Sequence, residues 1–335
     1  MAKKKAGSAK SAVKGGAAPL RRLPDVERVK VDPKKLARYA HERDFTRVAF
    51  ELMREVASYT CIAACVLGSA PAWDRDHAVV GGNMVRLYKL LSSLLDQTTR
   101  DRRETSTIVA RLAFETAVNL RYLIANFSPA LIESYIRYSL RHERKLQDLI
   151  RANIAERNGR EQPIETRMLK SLKRTADVAG IQLDAIDLRS KAPWGGKNIQ
   201  QKAAALGWAD PYEAVFAGMS HNVHGSWQDI YDYHLHADGH DHFTPNLDWH
   251  PMRPQFLLAL GFLVLRAAGD FVGFIGSEKV ASGFNKRVAD LAKRIRLVDN
   301  AHETYLVDRW RPIPDAPTRL GAAQTRKRKA PPERG

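Results

Sequence analysis

Two polar pairs, each spaced four residues apart, carry the chemistry that this chain offers: Arg111 with Glu115 in ARLAFETAVNLRYLI, and Ser220 with His224 in EAVFAGMSHNVHGSW. Residues four apart on a helix share a face, so each pair presents two hydrogen-bonding groups in one direction beside apolar neighbours. Projecting the first stretch at about 100° per residue groups Ile108, Leu112 and Leu123, with Glu115 and Asn119 inside their sector and Arg111 and Tyr122 at its edge. A carboxylate on an apolar face must be paired or neutralised, and Arg111 is the nearest partner. The next stretch repeats the theme: Ile132, Ile136, Ile150 and Ile154 form a stripe that includes Ser139 and Glu143, with Arg137, Arg141, Arg144 and Arg151 on the far side. After Asp210, residues Tyr212, Phe216, Met219 and Val223 form an apolar face flanked by Ser220 and His224, and His221 points away.

Arg111, Glu115, Asn119, Glu143, Ser220 and His224 are therefore expected to meet between three helices. The favoured role is a satisfied hydrogen-bond network that fixes helix register. The alternative is an acid/base or phosphate-binding site, in which a histidine beside a carboxylate moves a proton and an arginine stabilises negative charge. Ser220 lacks the strand-turn-helix elbow that exposes a hydrolase serine, which argues against covalent catalysis.

A second constellation lies between Asp232 and His250, where His234, His236, His240, His242 and His250 alternate with Asp238 and Asp241. His-x-His on an extended segment puts both imidazoles on one face and supplies half of a zinc site. The candidate ligands are His234, His236 and His240, with zinc as the metal. HLHADGH approaches the His-x-His-x-Asp-His pattern of metallo-β-lactamase-like hydrolases, but Gly239 separates Asp238 from His240 and no accompanying sheet is evident. A solvated polar loop is the favoured reading, and no cofactor is expected. Gly195-Gly196-Lys197 is followed by Asn198 and lacks P-loop spacing.

The elements that must position these groups read as helix after helix. Helices are expected near Pro33–Leu67, His77–Thr98 and Ser106–Phe127, the last apolar nearly all round and therefore central. Ser128-Pro129 is an N-cap with a proline at the first helical position, opening a helix to about Glu156. Others follow near Pro163–Val178 and Ile199–Leu206, with the Trp194 segment as a loop. Asp210-Pro211-Tyr212-Glu213 reads as a capping box that starts a helix ended by Gly225, and two more run near Pro254–Ile275 and Ala281–Asn300. The fold class is all-α: a multi-helix bundle with a short irregular or hairpin insertion near 226–252 and disordered basic tails.

Composition sets the boundaries. The 335 residues are 44% hydrophobic, enough for a substantial core. Cys61 and Cys65 are too few for a disulfide framework or a four-thiolate zinc site and read as small buried side chains. No secretory signal is apparent, and the run Phe256–Leu265, soon interrupted by Arg266 and Asp270, reads as a core helix and not a membrane span. A cytoplasmic, soluble protein without membrane contact is expected.

Net charge is +17, of which +7 falls before Asp25 and +5 from Arg311 onward. Both ends are short of apolar residues and are expected to be disordered, over 1–32 and 311–335, around one helical domain at 33–310. Aromatics do not interleave with the basic residues, so no sequence-reading nucleic-acid module is indicated.

Arg111-x3-Glu115 followed by Tyr122, the Trp194-Gly195 loop, then Tyr212 and Ser220-x2-Val223-His224-Gly225 resembles the bacterial domain-of-unknown-function family fifty-six seventy-seven, over about residues 80–275. The resemblance implies a helical domain in a bacterial cytoplasmic protein and carries no chemistry. Helical domains of this size also resemble the HEPN superfamily, whose ribonucleases use Arg-x4-6-His. Arg137 and His142 fit that spacing, yet on an undistorted helix they lie about 140° apart. The resulting expectation is a binding or regulatory module with weak, sequence-independent nucleic-acid contact through its tails. An HEPN-like ribonuclease or a metal-dependent hydrolase is the alternative, and whether the chain is an enzyme stays open.

Overall fold

The computed structural model describes residues 23–69, 71–237 and 242–309. Thirteen α-helical segments and one short hairpin make up the described chain. The N-terminal helices are α1 (Pro33–Leu36), α2 (Glu42–Ala64), α3 (Arg75–Thr98) and α4 (Arg103–Ala125). Then come α5 (Pro129–Ser139), α6 (Arg141–Glu156), α7 (Pro163–Ala179) and α8 (Ile199–Ala205). Short turns α9 (Ala209–Pro211), α10 (Ser220–His224) and α11 (Trp227–Tyr233) lead to strands β1 (Leu235–Ala237) and β2 (Phe243–Pro245), which pair antiparallel with His236 opposite Thr244. Two long helices, α12 (Pro254–Ile275) and α13 (Glu278–Arg309), complete the chain. The all-α class is the observed one, and among the described residues the only sheet is the small hairpin in the expected insertion.

The core is a bundle of α2, α3, α4, α12 and α13, with α12 packed against α2, α4 and α13. Leu257, Leu260, Val264, Ala268, Phe271 and Val272 of α12 are buried. By length and composition α12 alone among the described helices is apolar enough to cross a membrane, and 56% of its most apolar window is buried inside the bundle. Burial on most sides explains its near-continuous apolar sequence without a bilayer.

Several boundaries differ from the sequence reading. The helix expected from Pro33 to Leu67 is divided: residues 37–41 leave the helix and His41 is extended, which lets Tyr39 meet Phe45 edge-on at 5.0 Å. The helix expected from Pro129 to Glu156 is interrupted at Leu140, where the Ser139 hydroxyl donates to the Ile136 carbonyl at 2.8 Å. Such a side-chain bond competes with the regular ladder and bends it. The Asp210 capping box does not form. Helical turns begin at Ala209 and continue as a π-helical turn over Tyr212–Ala217. Cys61 is half-buried and Cys65 exposed, so the expectation of two buried thiols does not hold.

Residues 23–32, assigned from sequence to a disordered tail, lie against the bundle without helix or strand, with Leu23, Val26, Val29 and Val31 packed on the core. A buried ion pair fastens them. Glu55 on α2 and Arg294 on α13 have side chains 1% and 7% exposed and meet through two contacts of 2.6 Å. The Val29 amide donates to Glu55 Oε2 at 2.9 Å, and Arg294 Nη1 donates to the Val29 carbonyl at 2.9 Å. Asp290 then bridges Arg294 and Arg28, both at 3.0 Å. The expected tail residues 1–22 and 311–335 lie outside the described residues.

Candidate functional site

Helix α4 lays Arg111, Phe114, Glu115, Val118, Arg121 and Tyr122 along one side, at the i, i+3, i+4, i+7, i+10 and i+11 positions that share a helix face. Its partners are α8 and α10, reached through the chain segment between Trp194 and His224. At one end Arg111 Nε donates to Glu115 Oε1 at 2.7 Å, Nη1 donates to the Phe216 carbonyl, and the guanidinium carbon stands 5.3 Å from the Tyr212 ring centroid. The π-helical turn places these partners: Phe216 is fully buried and stacks on Phe114 with centroids 3.8 Å apart and planes 5° from parallel. Arg111 is thus occupied by a carboxylate, a carbonyl and an aromatic face. That geometry suits a clamp holding 212–217 on α4.

The same face of α4 carries Tyr122 about three turns beyond Arg111, where sequence reasoning did not foresee Lys202. Asn198 and Gln201 cap α8 reciprocally through bonds of 2.8 and 2.9 Å, which fixes the position of Lys202. Its Nζ stands 3.2 Å from the Trp194 ring centroid and 5.7 Å from that of Tyr122. The residue is 2% exposed and no carboxylate pairs with it among the described residues. Burial pushes the ammonium down to about 8, because a charge removed from water without a counter-ion is disfavoured. Trp194 also meets Tyr122 and Tyr135 edge-on at 5.7 and 5.1 Å, and the Tyr135 hydroxyl accepts from Asn83 Nδ2 at 3.2 Å.

Gly195 makes this cage possible. Its φ of +64° disfavours any side chain, and a Cβ there would meet Leu131 at 3.0 Å and Tyr122 at 3.2 Å. Its amide donates to Ser134 Oγ at 3.2 Å. Tyr122 and the Trp194-Gly195 pair were legible in the sequence. The one cue to Lys202 was its place on a short helix following that loop, and this cue does not separate it from the other lysines.

The remaining members of the expected cluster do not join Arg111 and Glu115. Asn119 and Ser220 are half-buried, His224 and Val223 are exposed, and Glu143 lies on α6 with a buried Oε2 that has no partner. None of Asn119, Glu143, Ser220 and His224 makes a side-chain hydrogen bond or ion pair among the described residues. The physical reason is the π-helical turn, which rotates α10 relative to an unbroken helix and turns Val223 and His224 outward. Arg137 is likewise turned to Glu133 Oε1 at 2.8 Å and the Ala185 carbonyl at 3.2 Å, while His142 is exposed.

In the histidine-rich segment, His234 ends α11, with Nε2 3.5 Å from the buried Asp229, which also accepts from Asn222 Nδ2. His236 sits on β1. His240 lies outside the described residues, so the His234, His236 and His240 set is not described as a whole. Among the described residues no group of three histidine, cysteine or carboxylate side chains is placed to hold a metal ion.

Residues 77–242 match the model of a family of unknown function, DUF5677. That segment belongs to this family. No curated protein and no solved structure matches it. The DUF5677 segment contains the Arg111–Glu115 clamp, the Lys202 cage and most of α3, and it ends inside the histidine-rich segment. The strap at 23–32, α2, α12 and α13 lie outside it and supply much of the core around it.

Proposed function

We propose that this DUF5677 protein is a binding module that holds nucleic acid through the basic segments at its two ends. The observation that carries the reading is the placement of charge: +12 of the net +17 belongs to residues 1–22 and 310–335, leaving the folded part at +5. The described residues that adjoin the two segments lie on or against α13. Leu23 packs near Gly283 and Arg287 donates to the Pro24 carbonyl at 2.8 Å, while α13 itself ends at Arg309. From Gly283 to Arg309 the helix rises about 39 Å at 1.5 Å per residue, comparable with one turn of duplex. Two cationic arms so separated suit contact with successive turns of phosphate backbone, without base readout.

The closed state of the polar cluster also supports binding over catalysis, since Arg111 is fully engaged within the fold and His224 faces away from it. The test uses the full chain with Lys3, Lys4, Lys5, Lys10, Lys14, Arg21 and Arg22 changed to glutamine, titrated with a random 20-base-pair duplex between roughly 50 and 200 mM salt. A protein neutralising six to ten phosphates loses about 10³- to 10⁵-fold in affinity over that range. The parent chain should show this steepness and the substituted chain a much shallower slope. Equal slopes, or no binding by either, would remove the proposal. Cleavage of labelled RNA that His142→Ala abolishes would replace it with the ribonuclease alternative.

A further inference from the structure

A cleft of about 420 Å³ opens between α12 and α13, with Phe262, Leu265 and Val288 among its apolar walls and Arg266, Lys293 and Arg296 as its cations. No carboxylate pairs with any of these three cations among the described residues. The Arg296 guanidinium lies 4.9 Å over the Phe262 ring, an arrangement that orients the group while leaving its N–H edge free. The nearest acidic group in the cleft, Asp270, is already held by Arg121 Nε at 2.5 Å. Asp299 lines the adjoining hollow with Phe262 and Arg296 and forms no ion pair among the described residues.

The floor continues into a second cavity of about 430 Å³ that shares Gly269, Asp270 and Asn285 and is lined by Arg121. Arg121 is 14% exposed and packs 4.5 Å from the Trp208 ring, and its buried Nη1 has no hydrogen-bond partner among the described residues. Gly269 lets the floor close: a Cβ there would stand 2.8 Å from Asn285 Oδ1. Three unpaired cations over an apolar wall, with a fourth buried guanidinium nitrogen unsatisfied beneath, call for a ligand of high negative charge and apolar body. A phosphate monoester carries about −1.5 to −2 near pH 7 and three acceptor oxygens, and arginine forks match those oxygens.

We infer that the cleft between α12 and α13 binds a small organic phosphate, its apolar part against Phe262, Leu265 and Val288 and its phosphate among Arg266, Lys293 and Arg296. This site is independent of the arms, and every residue that would touch the ligand lies outside the DUF5677 segment, which supplies only Arg121 beneath the floor.

Calorimetric titration of the full chain with phenyl phosphate, inorganic phosphate and phenol tests it. Phenyl phosphate should bind at least tenfold more tightly than either half-ligand. The exposed pair Arg266→Gln with Arg296→Gln should weaken it by tenfold or more. Ala292→Phe, which fills the cleft without changing charge, should weaken it similarly, and melting curves would verify that both variants fold. Absence of phenyl phosphate binding, or unchanged affinity in both variants, would overturn the site. Equal affinity for inorganic phosphate would mean a simple charge patch and would overturn it too. Displacement of phenyl phosphate by the 20-base-pair duplex, even in the chain with its seven N-terminal cations neutralised, would assign these side chains to nucleic acid instead.

Discussion

Lys202→Met exchanges an unpaired buried ammonium for a neutral chain of similar length, and its consequence is set by pH. Lysine ordinarily titrates near 10.5 and Lys202 is pushed down to about 8 by burial, a bias against the charged form of roughly 3 kcal/mol at 1.36 kcal/mol per tenfold. The sign follows from proton counting. Between pH 8 and 10.5 the unfolded chain keeps a proton on this lysine that the native protein has released, so native stability rises with pH across that window. Below pH 8 both states are protonated and the penalty is constant. Urea unfolding of parent and variant at pH 7, 8, 9 and 10.5 should therefore show Lys202→Met the more stable at pH 7, with its advantage shrinking by roughly 3 kcal/mol by pH 10.5. The difference between the two proteins cancels every other titrating group. A difference that is flat with pH would mean that Lys202 is solvated and that the cage is open.

Further perturbations separate clamp from strap. Glu55→Ala leaves Arg294 buried beside only Asp290 and the Val29 carbonyl, and should cost about 3–5 kcal/mol in urea unfolding while exposing the 23–32 strap to protease; Glu55→Gln should cost less. Glu115→Ala should cost only about 1 kcal/mol, because Glu115 is 35% exposed and Arg111 keeps the Phe216 carbonyl and the Tyr212 face. A loss as large as that of Glu55→Ala would contradict the assignment of the buried pair. His302 is fully buried with no hydrogen-bond partner among the described residues, Glu42 Oε1 standing 3.8 Å from its Nε2, and burial holds its pKa below the usual 6.5. The unfolded chain takes up the proton first as pH falls, so stability drops below pH 6.5; His302→Phe should flatten that limb of the pH–stability curve, and an unchanged limb would place the cause elsewhere.

Helical periodicity, proline and serine at helix starts and the apolar run in α12 were enough to fix the all-α class and the order of the long helices, because those signals are local and repeat every turn. The Arg111–Glu115 pair was legible for the same reason, both partners lying on one helix face. Tertiary structure alone decided where the polar stripe met its partners. A π-helical turn that no residue pattern announces stacks Phe216 on Phe114 and gives Arg111 a carbonyl, and His224 beyond it lies at the surface. Glu55 sits in the apolar stripe of Leu52, Val56 and Tyr59, the same cue that drew attention to Glu115, but its partner is 239 residues away. Pairing at such separation is set by how whole helices pack, and a sequence records only that a buried carboxylate needs a cation, without saying which. Lys202 is the limiting case: its character comes from the absence of a partner inside a cage of rings drawn from three different segments, and only the folded chain contains that absence.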